Sequence, residues 1–99
     1  MGMQRTLLIE KSSNRTWATL QQSRRESLKT VLQEIANLQQ PSKHPKVGIL
    51  EGPTTTIYRL RVGTYRVIFT TDKGELRVHK VGKRARIYDN IDDVYEAVG

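Results

Sequence analysis

The chain contains no cysteine, which excludes disulfides, thiol nucleophiles and thiolate metal sites and fits a reducing compartment. Histidine is nearly absent too: His44 and His79 are its only two copies, too few to hold a metal by themselves. Neither a metal nor a cofactor is expected. No stretch approaches the roughly 20 apolar residues that span a bilayer, and no signal peptide is recognisable. The expectation is therefore a soluble, cytoplasmic protein without a membrane partner. Proline is scarce, and Pro41, Pro45 and Pro53 all fall between Gln39 and Thr56, which marks that region as a loop crossing. Apolar residues make up only 36% of the 99 positions, which predicts one domain over residues 1–99 with a modest core and one well-covered sheet face.

Three short matches lack the context that would give them meaning. The first six residues fit a myristoylation pattern only loosely. Asn14-Arg15-Thr16 is a glycosylation sequon that matters only in a secreted chain. Gly82-Lys83-Arg84-Ala85 lacks both the hydroxyl residue and the earlier glycine of a phosphate-binding P-loop.

What the chain does have is positive charge, and it is concentrated. Between Arg59 and Arg86 nine basic residues face two acids, Asp72 and Glu75, which accounts for the entire net charge of +7. The other residues carry eight charges of each sign. An excess held on one structural unit suggests a polyanion site, whereas an even spread would mainly affect solubility.

Periodicity organises the rest. Arg5 to Glu10 reads as a short strand carrying Leu7, Leu8 and Ile9. Ser12-Ser13-Asn14 offers a cap for a short helix with Trp17 and Leu20 on one face. Ser23-Arg24-Arg25-Glu26 fits a capping box ahead of an apolar stripe of Leu28, Val31, Leu32, Ile35 and Leu38, so the two segments read as a helical hairpin. The stripe and Trp17 are expected to pack the core. The proline-bearing loop exceeds the usual loop length, with Val47, Ile49 and Leu50 tucked against the core.

From Ile57 the period becomes two. Gly63-Thr64 can turn a hairpin that pairs Val62 with Tyr65, Arg61 with Arg66, Leu60 with Val67, Arg59 with Ile68 and Tyr58 with Phe69. A loop at Thr71-Asp72-Lys73-Gly74 would then set Phe69 opposite Leu76, Ile68 opposite Arg77, Val67 opposite Val78 and Arg66 opposite His79. Tyr58, Leu60, Val67, Phe69, Leu76 and Val78 go to the helix-covered face; Arg59, Arg61, Arg66, Arg77 and His79 go to the open one. Lys80 falls on the wrong face and is expected to snorkel at the strand end. Asn90 can cap a last helix bearing Ile91, Val94, Tyr95 and Val98, whose acids Asp89, Asp92, Asp93 and Glu96 could lie across the basic sheet.

Arg61 opposite Arg66 is a repulsive pair that Arg77 and His79 extend, and a bound anion would relieve the repulsion. Guanidinium forks match phosphate oxygens, and arginine outnumbers lysine six to three in the basic stretch, which favours phosphate recognition over a merely solvated face. Metal-free RNA cleavage by the neighbouring 2′-hydroxyl needs a proton acceptor, cations for the phosphorane and a proton donor. Arginines supply the cations but stay protonated, which leaves His79 and Tyr88 as the titratable candidates. His79 could be structural or a proton-transfer group. Tyr88 could stack on a base, pack, or move a proton.

The segment Tyr58-Arg59-Leu60-Arg61-Val62-Gly63-Thr64-Tyr65-Arg66-Val67-Ile68-Phe69, followed by Val81-Gly82-Lys83-Arg84 and Tyr88, resembles the RelE family of bacterial and archaeal toxins. The likeness is strong from Ile57 to Tyr88 and extends by element order over nearly the whole chain. It implies an α+β fold: an N-terminal strand, a two-helix hairpin on one face of an antiparallel sheet of three to four strands, and a short C-terminal helix. It implies an mRNA endoribonuclease acting in the ribosomal A site. It also implies a cognate antitoxin that wraps and blocks the toxin, and through which alone the toxin would reach operator DNA. The family's catalytic positions fall on Arg59, Arg61, Arg66, Arg84 and Tyr88, while Arg77, His79, Lys83 and Arg86 are expected to bind RNA phosphates. Arginine at 59 and 61, where well-known members have lysine, argues against lysine-like acid–base roles there, and His79 has no clear family counterpart. Two other readings stand beside this one: a ParE-like toxin that inhibits DNA gyrase without cutting, and a non-catalytic RNA-binding module.

Overall fold

The computed structural model describes residues 4–50, 56–89, 91, 94 and 96. Five strands, β1 (Thr6–Ile9), β2 (Val47–Leu50), β3 (Ile57–Val62), β4 (Tyr65–Thr71) and β5 (Glu75–Lys83), form one sheet with helices α1 (Lys11–Thr19) and α2 (Gln22–Ala36) against it. The sheet order is β1-β5-β4-β3-β2. The pairings β2–β3, β3–β4 and β4–β5 are antiparallel, while β1 runs parallel to β5.

The α+β architecture matches expectation, with more strands than foreseen and a mixed rather than wholly antiparallel sheet. The extra strand comes from the proline-bearing region. After a short 3-10 helix at Pro41–Lys43, Val47–Leu50 pairs along β3 with Val47 opposite Leu60 and Gly48 opposite Arg59. Val47 and Leu50 are partly buried, whereas Ile49 is 58% exposed and so is not tucked away.

Both helices begin earlier than their capping signals suggest. Glu10 and Gln21, each extended, precede α1 and α2 and make no side-chain cap. Ser13 lies inside α1 and is buried, its hydroxyl donating to the backbone carbonyl of His79. The Glu26 carboxylate accepts from the Gln22 side-chain amide at 3.3 Å instead of closing a box with Ser23. A buried tertiary partner outbids a local cap when a helix can lie flat against a strand.

Leu20, Leu28, Leu32, Ile35 and Ala36 pack on Leu60, Val67, Phe69, Leu76, Val78 and Val81, with Trp17 and Val31 partly buried beside them. Each fully buried aliphatic side chain contributes about 2 kcal/mol. Tyr58 and Phe69 stack across the strands at 5.2 Å between ring centroids. Arg5 joins distant parts of the chain: its guanidinium donates to the carbonyls of Leu38 at the end of α2 and Asp72 in the β4–β5 turn.

The first hairpin has the expected register throughout, from Val62–Tyr65 to Tyr58–Phe69, with Gly63 at φ +59° in the turn. The second does not. Asp72 accepts from the backbone N–H groups of Gly74 and Glu75, each at 2.8 Å, and closes a tighter turn that sets Thr71 opposite Leu76 and Phe69 opposite Val78. A bulge at His79 then brings Ile68 opposite Lys80, Val67 opposite Val81 and Arg66 opposite Gly82. The extra residue reverses the facing of the remainder of β5. Lys80 thus reaches the open face, where its ammonium donates to the Asp89 carbonyl, and does not snorkel. His79 leaves the arginine row.

The open face is only partly open. Ile57, Ile68, Ile87 and Val94 form a second buried cluster there, with Leu50 and Ile91 packed against it. Ile87, Ile91 and Val94 therefore lie on the side of the sheet opposite the helices, the side across which the acids of this segment were expected to lie. Ile91, Val94 and Glu96 are helical; Asn90, proposed as the cap, and Asp92, Asp93, Tyr95 and Val98 lie outside the described residues.

Candidate nucleic-acid site

Arg59 and Arg61 point to the open face of β3 because they alternate with the core residues Tyr58 and Leu60. Arg66, directly opposite Arg61 on β4, shares that face. Arg66 is 8% exposed. Its Nη1 donates to the carbonyls of Gly63 and Tyr65, both at 2.9 Å, so the hairpin's own backbone fixes the guanidinium. Gly82 opposite it carries no side chain to fill the space above.

A turn closes the site from the β5 side. The Arg84 amide donates to the Thr64 carbonyl at 2.7 Å, tying the end of β5 to the tip of the first hairpin. Residues 84–89 then turn back on the sheet through bonds from Arg86 and Ile87 to the Lys83 carbonyl. Ile87 points inward and is 1% exposed, while Arg84, Arg86 and Tyr88 point to solvent. Arg59 Nη1 donates to the Tyr88 phenol oxygen at 3.0 Å.

Electrostatics show that these groups converge. Loss of hydration is the first cause that pushes the Arg66 pKa below its ordinary value, followed by the positive charges of Arg84 and Arg61. Tyr88 acts in the opposite sense, and Arg59 adds a smaller repulsion. Arg66 stays a cation, since a guanidinium does not deprotonate in proteins. The charges of Arg59, Arg61 and Arg84 all bear on the one buried guanidinium of Arg66, beside an exposed phenol, an arrangement suited to an anion.

The remaining expected site residues lie elsewhere. Arg77, on the same face at the far end of β5, is paired with Glu10 and with Glu75, the latter at 3.0 Å. Those two hydrogen bonds raise its pKa. His79 is half-buried, its Nε2 is 2.8 Å from the Thr70 hydroxyl, and burial pushes its pKa below 6.5. Lys83 and Arg86 are exposed at the rim beside Arg84. The arrangement thus gathers Arg59, Arg61, Arg66, Arg84 and Tyr88, and sets Arg77 and His79 apart with partners of their own.

Two contributors were not singled out in the sequence. Ile87 anchors the turn that carries Arg84 and Tyr88, and an apolar residue within Arg84-Ala85-Arg86-Ile87-Tyr88 was the signal for it. Gly48 lies opposite Arg59, and a lone glycine within the apolar run Val47–Leu50 was the corresponding signal.

A family model described as the ParE toxin of the type II toxin–antitoxin system, parDE, matches residues 9–88. Among solved structures, the chain is similar to the toxin in the archaeal RelE–RelB complex from Pyrococcus horikoshii OT3. That likeness has a TM-score of 0.68 and 24% identity over 85% of this chain and 99% of the other. Escherichia coli toxin RelE in the free state, as a double arginine-to-alanine mutant, aligns with a TM-score of 0.66 and 24% identity, covering 97% of this chain and 96% of that one. The toxin–antitoxin complex RelBE2 from Mycobacterium tuberculosis gives 0.65 at 15% identity, over 84% and 94% of the two chains. At these identities the likeness establishes the fold. No curated protein matches the chain by sequence.

Proposed function

This chain belongs to the ParE toxin family of type II toxin–antitoxin systems, within the RelE/ParE superfamily, and from that premise we propose that it is a ribosome-dependent mRNA endoribonuclease. The observation that carries the reading is the convergence of Arg59, Arg61 and Arg84 on the fixed guanidinium of Arg66, with Tyr88 hydrogen-bonded to Arg59. In the cleavage step the 2′-oxygen of one nucleotide bonds to the adjacent phosphorus as its proton passes to a water molecule. The phosphorane collapses, and the 5′-oxygen departs with a proton, leaving a cyclic phosphate on one fragment. Arg66 and Arg84 hold the non-bridging oxygens as charge builds on them. Arg59 and Arg61 bind the flanking backbone. Tyr88 accepts from Arg59, so its own hydroxyl proton is free for the oxygen that departs. With few acid–base groups at hand, the ribosome's alignment of the mRNA supplies much of the barrier reduction.

The RelB antitoxins in two of the solved relatives support a cognate antitoxin as partner; operator DNA would be reached only through that complex. The purified toxin, freed of antitoxin, should cut mRNA in a translating extract. Arg84→Ala, which removes an exposed side chain, should lower cleavage on the order of a hundredfold without unfolding the protein. Intact mRNA in both cases would remove the reading.

One observation favours a second reading. The matching family model describes ParE toxins, which points to inhibition of DNA gyrase without strand cutting. A supercoiling assay separates the two: inhibition by a toxin that leaves mRNA intact selects the ParE-like mode.

A further inference from the structure

We infer that Gly48 is a positioning residue for the RNA-cleaving site, holding the Arg59 guanidinium against Tyr88 by leaving the space above its own backbone empty. The inference rests on the cleavage reading above.

Glycine weakens a strand, because it gains no side-chain packing and loses more backbone freedom on folding than any other residue. Such a residue within β2 calls for a reason, and the backbone supplies none: Gly63 alone among the described glycines has a positive φ. The reason lies across the strand. Gly48 is directly opposite Arg59, and a Cβ at position 48 would stand 3.0 Å from Arg59 Nη2, 3.7 Å from Cζ and 3.8 Å from Nε. The guanidinium therefore lies over the vacant position, with its Nη1 bonded to the Tyr88 phenol oxygen. A Cβ at position 48 would make the guanidinium give by a few tenths of an ångström, and a branched side chain would displace it further.

Arg59 is half-buried and Arg61, two residues on, is exposed. The two arginines of one strand face thus have different settings. Arg61 stands opposite Arg66, while Arg59 lies over Gly48 of the edge strand and reaches the turn that carries Tyr88. The vacancy at Gly48 makes this arrangement possible and couples an edge strand outside the basic hairpin to the phenol at its rim.

The expected signature separates this role from a structural one. Gly48→Ala and Gly48→Val should leave the thermal midpoint unchanged or raised, since both residues favour a strand more than glycine does. Cleavage in the translating extract should nevertheless fall, on the order of tenfold to a hundredfold for the valine variant and less for alanine. In an Arg59→Ala background the valine substitution should change cleavage by less than about twofold, because a residue acting through Arg59 has nothing left to act on. A crystal structure of Gly48→Val should show Arg59 parted from Tyr88. If Gly48→Val cuts at the wild-type rate, or costs as much with Arg59→Ala as without it, the inference is overturned and the cleavage reading stands. A wild-type protein that leaves mRNA intact overturns both.

Discussion

At the scale of single residues, two polar groups tie α1 and β4 to β5. Ser13 is buried in α1 and donates to the His79 carbonyl at the bulge. Ser13→Ala leaves that carbonyl without its side-chain partner and should cost about 1–2 kcal/mol, read from urea unfolding. The His79 ring gives the fold a pH response. Burial is the main cause that lowers its folded-state pKa below 6.5; Glu10 opposes the shift and Arg77 adds to it. Between that lowered value and 6.5 the unfolded chain holds more protons than the folded one, so stability is complete above 6.5 and declines as pH falls through the window. Urea midpoints at pH 7.5 and about 5.5 should therefore differ in the wild type and much less in His79→Gln. Asp72 responds in a lower range. The backbone N–H groups of Gly74 and Glu75 hold its carboxyl below 3.8, so its contribution is present above 3.8 and is lost on further acidification.

At the scale of elements, the Arg84–Asp89 turn depends on one anchor. Ile87→Ala opens a cavity among Ile57, Ile68 and Val94 and should cost about 2–4 kcal/mol in chemical denaturation. It should also lower cleavage, since Arg84 and Tyr88 lose their base. The two hairpins show how much of the fold was legible in the residues. Gly63-Thr64 fits only one turn between alternating strands, so the pairing of Arg61 with Arg66 could be read directly. The β4–β5 turn offered several loop lengths, and the Asp72 side chain selected the tight one by capping two amides. The bulge at His79 has no residue type that announces it; the packing of Val81 into the core, together with the reach of Lys80 toward Asp89, accounts for it. For that reason Arg66 could be placed on the open face, but its facing partner, Gly82, could not. The start of α1 departs from its capping signal for a related reason: Ser13, suited to capping, is drawn into a buried bond with a strand distant in sequence.

At the scale of the whole molecule, the sheet separates two kinds of surface. Helices cover one side; on the other, an apolar patch closed by Ile87, Ile91 and Val94 lies beside a cluster of guanidinium groups. If those four arginines each neutralise a phosphate, affinity for a non-cleavable single-stranded oligonucleotide should fall with salt at a log–log slope of about −3. Fluorescence anisotropy over a salt series would measure it, and Arg61→Ala should make the slope shallower by about 0.7. The parallel pairing of β1 with β5 has a consequence of another kind. Thr6 meets Glu75 and Ile9 meets Val78, contacts of very high sequence separation that form slowly because so long a loop must close first. During synthesis β1 must wait, unpaired, until β5 has left the exit tunnel. A translation product interrupted before β5 carries the basic hairpin without the strand that pairs with both β4 and β1, and without Arg84 and Tyr88 beside it.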